Sequence, residues 1–214
     1  MVKLFIFLFM ILIYCASFSQ ELAGFDPNKK TESNFVSHGL LKASATISPG
    51  KMIQNGSTTI NLSGFLEYFI DNQFSLRGDV YQFIDDQNSI KTSINPNFQN
   101  RLFFGAFYNY GKGNIRWYNG FQMGLTTTNY LSNMITGEFK WSLAPSTSFK
   151  TGIAYYVWKY FHFFADVTYL NSTLRGASFG SQKMDEILFS GGLGFQIQTK
   201  KQRKKFSFIG TPSF

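Results

Sequence analysis

Between Thr59 and Phe83 apolar and polar residues alternate with a period of two. On the first arm Ile60, Leu62, Leu66, Tyr68 and Ile70 share one parity; Thr59, Asn61, Ser63 and Glu67 share the other, with Phe65 and Phe69 among them. Asp71-Asn72-Gln73 interrupts the run, after which Phe74, Leu76 and Val80 oppose Ser75, Arg77 and Asp79. In an extended strand alternate side chains point to opposite faces, so this stretch predicts a hairpin whose faces meet different surroundings. Centring the turn on Asn72 sets Glu67 across from Arg77 and predicts an ion pair between them.

The same alternation recurs along the chain. A first strand is expected over 34–48, with Leu41, Ala43, Ala45 and Ile47 opposed to Lys42, Ser44 and Thr46. A fourth over 100–110 sets Leu102, Phe104, Ala106, Tyr108 and Tyr110 against Arg101, Phe103, Gly105, Phe107 and Asn109. A fifth over 114–127 sets Ile115, Trp117, Phe121, Met123 and Leu125 against Arg116, Tyr118, Gln122 and Thr126. From Phe139 to Val157 the large apolar residues stay odd-numbered through Ala144-Pro145-Ser146. That constancy predicts one long strand bent at Pro145 and protruding beyond the others; a hairpin turn at Ala-Pro-Ser would give nine strands instead of eight. Strands over 160–174 and 186–198 complete the set. Turns near Asn72, Lys112 and Lys159 are tight, whereas the connections at 49–57, 85–99, 128–136 and 174–185 are long. Short turns at one rim and long loops at the other predict an all-β, eight-stranded antiparallel up-and-down transmembrane β-barrel, with both chain ends on the short-turn, periplasmic side.

A barrel in lipid turns its apolar face outward and shuts its ionic face inside, whereas a soluble carrier does the reverse. The polar faces carry Lys42, Glu67, Arg77, Asp79, Arg101, Arg116, Lys140, Lys150, His162 and Asp166. Eight strands enclose a space just wide enough for side chains to fill. Lys42, Glu67, Arg77, Asp79, Arg101, Arg116, Lys150 and Asp166 are therefore expected as a structural charge network in the lumen. Aromatic residues crowd the three tight turns, among them Phe69, Phe74, Tyr156 and Phe161. Tyr and Trp favour the headgroup level, which predicts a girdle of Tyr68, Tyr108, Tyr110, Trp117, Tyr155, Trp158 and Tyr160.

Composition sharpens the picture. The chain of 214 residues holds 26 Phe, 11 Tyr and 3 Trp but only 5 Pro. Heavy aromatic content at near-neutral mean hydropathy fits strands facing lipid on one side and a polar interior on the other. Lys3 followed by the apolar run 4–14 and Ser17-Phe18-Ser19 reads as a signal peptide over 1–19, cleaved before Gln20. Cleavage there removes Cys15, the single cysteine, and with it disulfide and thiolate chemistry. A polar periplasmic tail is expected over 20–33, the barrel over 34–198 and a basic periplasmic tail over 199–214. The formal net charge of +8 is concentrated in that last segment by Lys200, Lys201, Arg203, Lys204 and Lys205. A basic tail on an exported chain points to acidic headgroups or a periplasmic acidic partner, not to nucleic acid. His38 and His162 are the only histidines, and no catalytic, metal or cofactor site is expected. Asp85-Asp86, in a Ser/Asn-rich loop, is an alternative calcium position.

The hairpins Gly64–Val80 and Gly152–Val167 and the terminal strand SGGLGFQI resemble the small outer-membrane β-barrel family, the OmpA-barrel/OmpX type found as barrel-only proteins, in a style similar to Bacteroidota outer-membrane proteins. The terminal strand resembles the family's assembly signal, carried here by Ser190, Gly192, Phe195 and Ile197, with 17 residues following Ile197 where the family's signal usually closes the chain. The resemblance implies residence in the outer membrane, contact with its lipid and recognition by the barrel assembly machinery. The function expected is non-enzymatic: envelope structure, surface contact, or service as an accessory subunit of a membrane complex. Two alternatives stay open. A lipid-modifying barrel such as a lipid A deacylase or acyltransferase needs a histidine beside a serine or acid on a lipid-accessible face. A soluble lipocalin-like carrier needs an apolar interior.

Overall fold

Antiparallel pairing runs unbroken in sequence order around a closed ring. The computed structural model describes residues 36–54, 56–86, 98–111, 113–133, 138–177 and 180–199. The expected signal peptide, the tail 20–33, most of the loop 85–99 and the basic residues 200–205 lie outside the described residues. The barrel strands are β1 (Leu40–Met52), β2 (Thr58–Phe69), β3 (Phe74–Asp86), β4 (Phe98–Tyr110), β5 (Ile115–Asn133), β6 (Glu138–Tyr156), β7 (Phe161–Ala177) and β9 (Glu186–Gln198). A short β8 (Gly180–Lys183) pairs with the end of β7 alone. Each barrel strand pairs with the next, and β9 pairs with both β7 and β1, so eight strands close an up-and-down barrel.

The tight turns after β2, β4 and β6 lie at one rim, together with the start of β1 and the end of β9. Asp71 shapes the first of them: its Oδ1 accepts hydrogen bonds from the backbone N–H of Gln73 and of Phe74, both at 2.6 Å. In the second, Gly111 and Gly113 have φ of 116° and 68°, the left-handed region that glycine enters without steric cost.

Strand phase agrees with the period-two reading throughout, and several bounds differ from it. β1 starts at Leu40, not at 34, and continues through Pro49-Gly50, which was expected to be loop. Proline is tolerated there because β1 has no backbone pairing to β9 between Ala43↔Phe195 and Gly50↔Leu188. β5 extends into the expected loop at 128–136, pairing with β6 as far as Asn133↔Glu138, and residues 134–136 lie outside the described residues. β6 is one strand, and Pro145 pairs in register with Leu125. Above Ser146↔Ser172, β6 has no partner on the β7 side, and beyond Phe98↔Asn129 β5 has none on the β4 side, so the last pairs from Tyr130↔Lys140 rise as a two-stranded ribbon.

Interior glycines let the wall accept large rings. Phe107 faces Gly120 across β4 and β5, Phe103 faces Gly124, Tyr118 faces Gly152 across β5 and β6, and His162 faces Gly194 across β7 and β9. A Cβ on Gly120 would meet the Phe107 ring at 2.3 Å, and one on Gly194 would meet the His162 ring at 2.3 Å. These rings occupy space that a side chain on the glycine opposite would fill, a cross-strand pairing that packs the interior.

Candidate functional site

The strand phases turn the usual protein inside out. Leu62, Phe104, Phe121, Met123 and Leu143 are at least 45% exposed, whereas Lys42, Arg77 and Lys150 are 1% exposed. Charged side chains are almost never buried unless paired, so their partners define the interior.

Toward the short-turn rim, Val36, Leu40, Phe69, Phe107, Tyr118, Ala154 and Tyr156 form an apolar floor. Just above it Lys42 Nζ lies 2.8 Å from Glu67 Oε2 and 5.0 Å from the centre of the Phe69 ring. Ser75 donates its hydroxyl to Glu67 Oε1 at 2.5 Å. The middle layer is built on Asp79. Arg77 donates to it from Nε and Nη2, both at 3.0 Å, in a fork that matches the two carboxylate oxygens. Lys150 donates at 2.5 Å and Gln122 at 2.6 Å. Asp166, across the lumen, lies 3.5 Å from Arg77 Nη2 and accepts the Tyr118 hydroxyl at 3.0 Å. The Arg77 guanidinium also covers the Phe65 ring at 3.7 Å. Further up, Arg101 pairs with Glu186, which also accepts from Thr59 and, at 3.2 Å, from Asn61. Two more apolar clusters lie among these layers: Tyr81, Phe103, Leu170 and Leu188 in one, Met52, Ala144, Leu174 and Met184 in the other.

All eight residues expected in the charge network are buried inside the barrel, but the pairing differs from the expectation. Glu67 and Arg77 are opposite in the β2–β3 ladder, yet each turns to other partners. Glu67 takes Lys42 from β1; Arg77 takes Asp79, two residues on along its own inward face, and Asp166 from the far wall. An eight-stranded lumen is narrow enough that a long side chain reaches across it, so ladder opposition does not choose the partner. Arg116 is buried and makes no ion pair with a described residue. The sequence reading missed Glu186 and Asp185. Glu186 shares even parity with Ser190 and Gly192 on the inward face of β9, which was the available signal. Buried cations (Lys42, Arg77, Arg101, Arg116, Lys150) and buried carboxylates (Glu67, Asp79, Asp166, Asp185, Glu186) are equal in number among the described residues. Between them a cavity of only about 10 Å³, lined by Ser44, Thr46, Ser63, Arg77 and Lys150 among others, has room for about one water.

On the outside, Tyr108, Tyr110, Trp117, Trp158 and Tyr160 are exposed near the short-turn rim, and Tyr68 and Tyr155 are half-buried there. Tyr108 stacks on Tyr110 at 6.0 Å, and Tyr160 on Phe195 at 6.4 Å. Phe69 and Tyr156, which crowd the same turns, point inward instead. Of the terminal-strand residues, Phe195 and Ile197 face outward, while Gly192 and Ser190 share the inward parity. Ser190 Oγ lies 2.7 Å from Ser48 Oγ, at the β1–β9 seam where backbone pairing is interrupted. There Ser44 and Thr46 donate their hydroxyls to the carbonyls of Leu193 and Gly191 at 3.1 and 2.8 Å, replacing ladder bonds with side-chain ones.

The two histidines sit in different surroundings. His162 is buried, stacked on Tyr156 at 5.8 Å and near the rings of Phe65 and Phe164. His38 Nδ1 is 2.5 Å from the Ile70 carbonyl at the rim. Among the described residues no group of three metal-ligating side chains converges. Asp85-Asp86 close β3, and their side chains lie outside the described set.

No protein-family profile and no curated protein matches the chain in sequence. Solved structures match it in shape. Neisserial surface protein A superimposes with a TM-score of 0.54 at 12% identity, over 74% of this chain and 96% of its own. The outer membrane protein OprG of Pseudomonas aeruginosa superimposes with a TM-score of 0.53 at 13% identity, over 78% of this chain and 99% of its own. The chain therefore has the fold of the small eight-stranded outer-membrane β-barrels.

Proposed function

We propose that the protein is an integral outer-membrane barrel with no enzymatic activity, its apolar wall in lipid and its lumen filled by a charge-balanced side-chain network. It serves envelope structure, surface contact or a larger membrane complex as an accessory subunit. One observation carries this reading: a continuous apolar outer wall encloses ionic groups that pair with one another. Soluble monomers rarely expose apolar patches beyond a few hundred Å², and a wall of this extent needs lipid to cover it. The soluble-carrier alternative requires the opposite arrangement. The lipid-modifying alternative requires His38 or His162 beside a serine or acid on a lipid-accessible face; His162 lies shut among aromatic rings, and the exposed His38 turns its Nδ1 to the Ile70 carbonyl at the short-turn rim.

In this reading the short-turn rim is periplasmic. Both ends of the barrel chain leave there, where Thr199 is hydrogen-bonded to Gly39, and the basic tail meets acidic groups on that side. Membrane fractionation, with gel migration of unheated and heated samples, tests the proposal. A folded barrel is expected in the outer-membrane fraction, with mobility that shifts on boiling. A soluble, periplasmic product with unshifted mobility contradicts it.

A further inference from the structure

The outer wall is not uniformly smooth. Across β1 to β6 a groove of about 560 Å³ is cut into it, within the size range of small-molecule sites. Its apolar lining comes from one hydrogen-bonded row, Ala45, Gly64, Val80, Leu102 and Leu125, each the ladder partner of the next. Gly64, facing outward with no side chain, deepens the floor. One step nearer the long-loop rim runs a second row: Leu62, Gln82, Asn100, Thr127 and Leu143. Three neighbouring outward positions in this row, on β3, β4 and β5, are polar. Asn100 Oδ1 is shielded from solvent and accepts no hydrogen bond among the described residues, although its residue is only half-buried. The Thr127 hydroxyl donates to the Asn100 carbonyl at 3.3 Å.

An apolar trough ending in a short row of neutral hydrogen-bonding groups fits an amphiphile held at the level where lipid tails give way to headgroups. The outward residues of both rows carry no charge, and Arg101, which also borders the groove, is buried on the lumen side and paired with Glu186, so the outward row offers a phosphate no cation to pair with. Hydroxyl and amide groups, by contrast, match the Gln82 and Asn100 side chains donor to acceptor. We propose that this groove holds an acyl chain of an outer-leaflet glycolipid, with sugar hydroxyl or amide groups hydrogen-bonded to Gln82, Asn100 and Thr127. The site rests on the membrane reading above and adds a lipid class and a location to it.

The full-length protein, reconstituted in vesicles containing equal amounts of an N-acylated glucosamine lipid and phosphatidylethanolamine, is released into a mass spectrometer and its retained lipid identified. The glycolipid is expected to be retained about tenfold over the phospholipid. The double variant Gln82→Ala, Asn100→Ala, at surface positions, should lose about tenfold of that preference, since one or two hydrogen bonds are worth this much. Ala45→Phe, which fills the trough from its rim, should abolish retention of either lipid. Equal retention of both lipids by the unaltered protein, or a preference unmoved by the double variant, overturns the glycolipid site while leaving the membrane reading intact. A chain that never enters the vesicles overturns the membrane reading itself.

Discussion

Asp79 accepts from Arg77, Lys150 and Gln122 at once, in surroundings closed to solvent. Replacing it with alanine leaves two buried cations, Arg77 and Lys150, to share Asp166 at 3.5 and 4.0 Å as their one remaining counter-ion, and breaking a buried pair in this way typically costs about 3–5 kcal/mol. Urea unfolding of the reconstituted barrel should show Asp79→Ala destabilised by that amount and Asp79→Asn by less, because the amide keeps one acceptor. At the rim Asp71 acts differently. The backbone N–H groups of Phe74 and Gln73 hold its carboxyl below the usual value of 3.8. A carboxyl lowered in the folded state stabilises fully above its unfolded value, and that contribution is lost as pH falls through the folded one. The stability gap between the unaltered protein and Asp71→Ala should therefore hold near neutral pH and close on acidification below 3.8; a gap independent of pH contradicts this role. Which residues lie inside was legible in the alternation of single side chains. Which of them pair was not, because Arg77 and Asp166 meet across the lumen from strands far apart in sequence.

At the level of strands, ring and glycine form one device. Adding a methyl at Gly120 forces the Phe107 ring aside, and overpacking of this kind costs about 1–3 kcal/mol. Gly120→Ala should show that loss in equilibrium unfolding, and pairing it with Phe107→Leu should recover part of it, a coupling that a double-mutant cycle measures. Glycine inside a strand usually reads as a weakness, so the period-two reading did not show the rings of Tyr118 and His162 that cover Gly152 and Gly194. The β1–β9 seam was equally invisible, since nothing in the alternation of β1 or β9 announces a missing ladder. Those amides of 44–48 and 189–194 that face the seam are expected to exchange with deuterium faster than those of Gly64–Glu67, which pair on both sides of β2. Thr46→Val, which removes the bond to the Gly191 carbonyl, should cost about 1 kcal/mol. Strand ends were the least legible feature. Residues 128–133 of the expected loop are strand because cross-strand pairing between β5 and β6, not local composition, carries β5 on as far as Asn133.

For the whole molecule, the alternation of tight and long connections foretold eight strands, their closure and the placing of both ends at one rim. It foretold them because each strand keeps one parity over most of its length, Pro145 included, with register shifts only near the long-loop ends, at Ile60/Asn61 and Leu131/Asn133 among the described residues of the barrel strands. The chemistry of the groove was not foretold: Gln82, Asn100 and Thr127 belong to three strands, and only the register sets them side by side. The account stands on the direction the greasy face takes. Single nitroxide labels at Leu62, Leu76, Phe104, Phe121 and Val167, one at a time in lipid vesicles, read that direction from relaxation by oxygen, which concentrates in the bilayer, against relaxation by a water-soluble nickel complex. All five positions are predicted to be relaxed by oxygen and shielded from nickel; strong relaxation by nickel at these positions, or shielding from both agents as in a soluble core, would contradict the barrel in lipid.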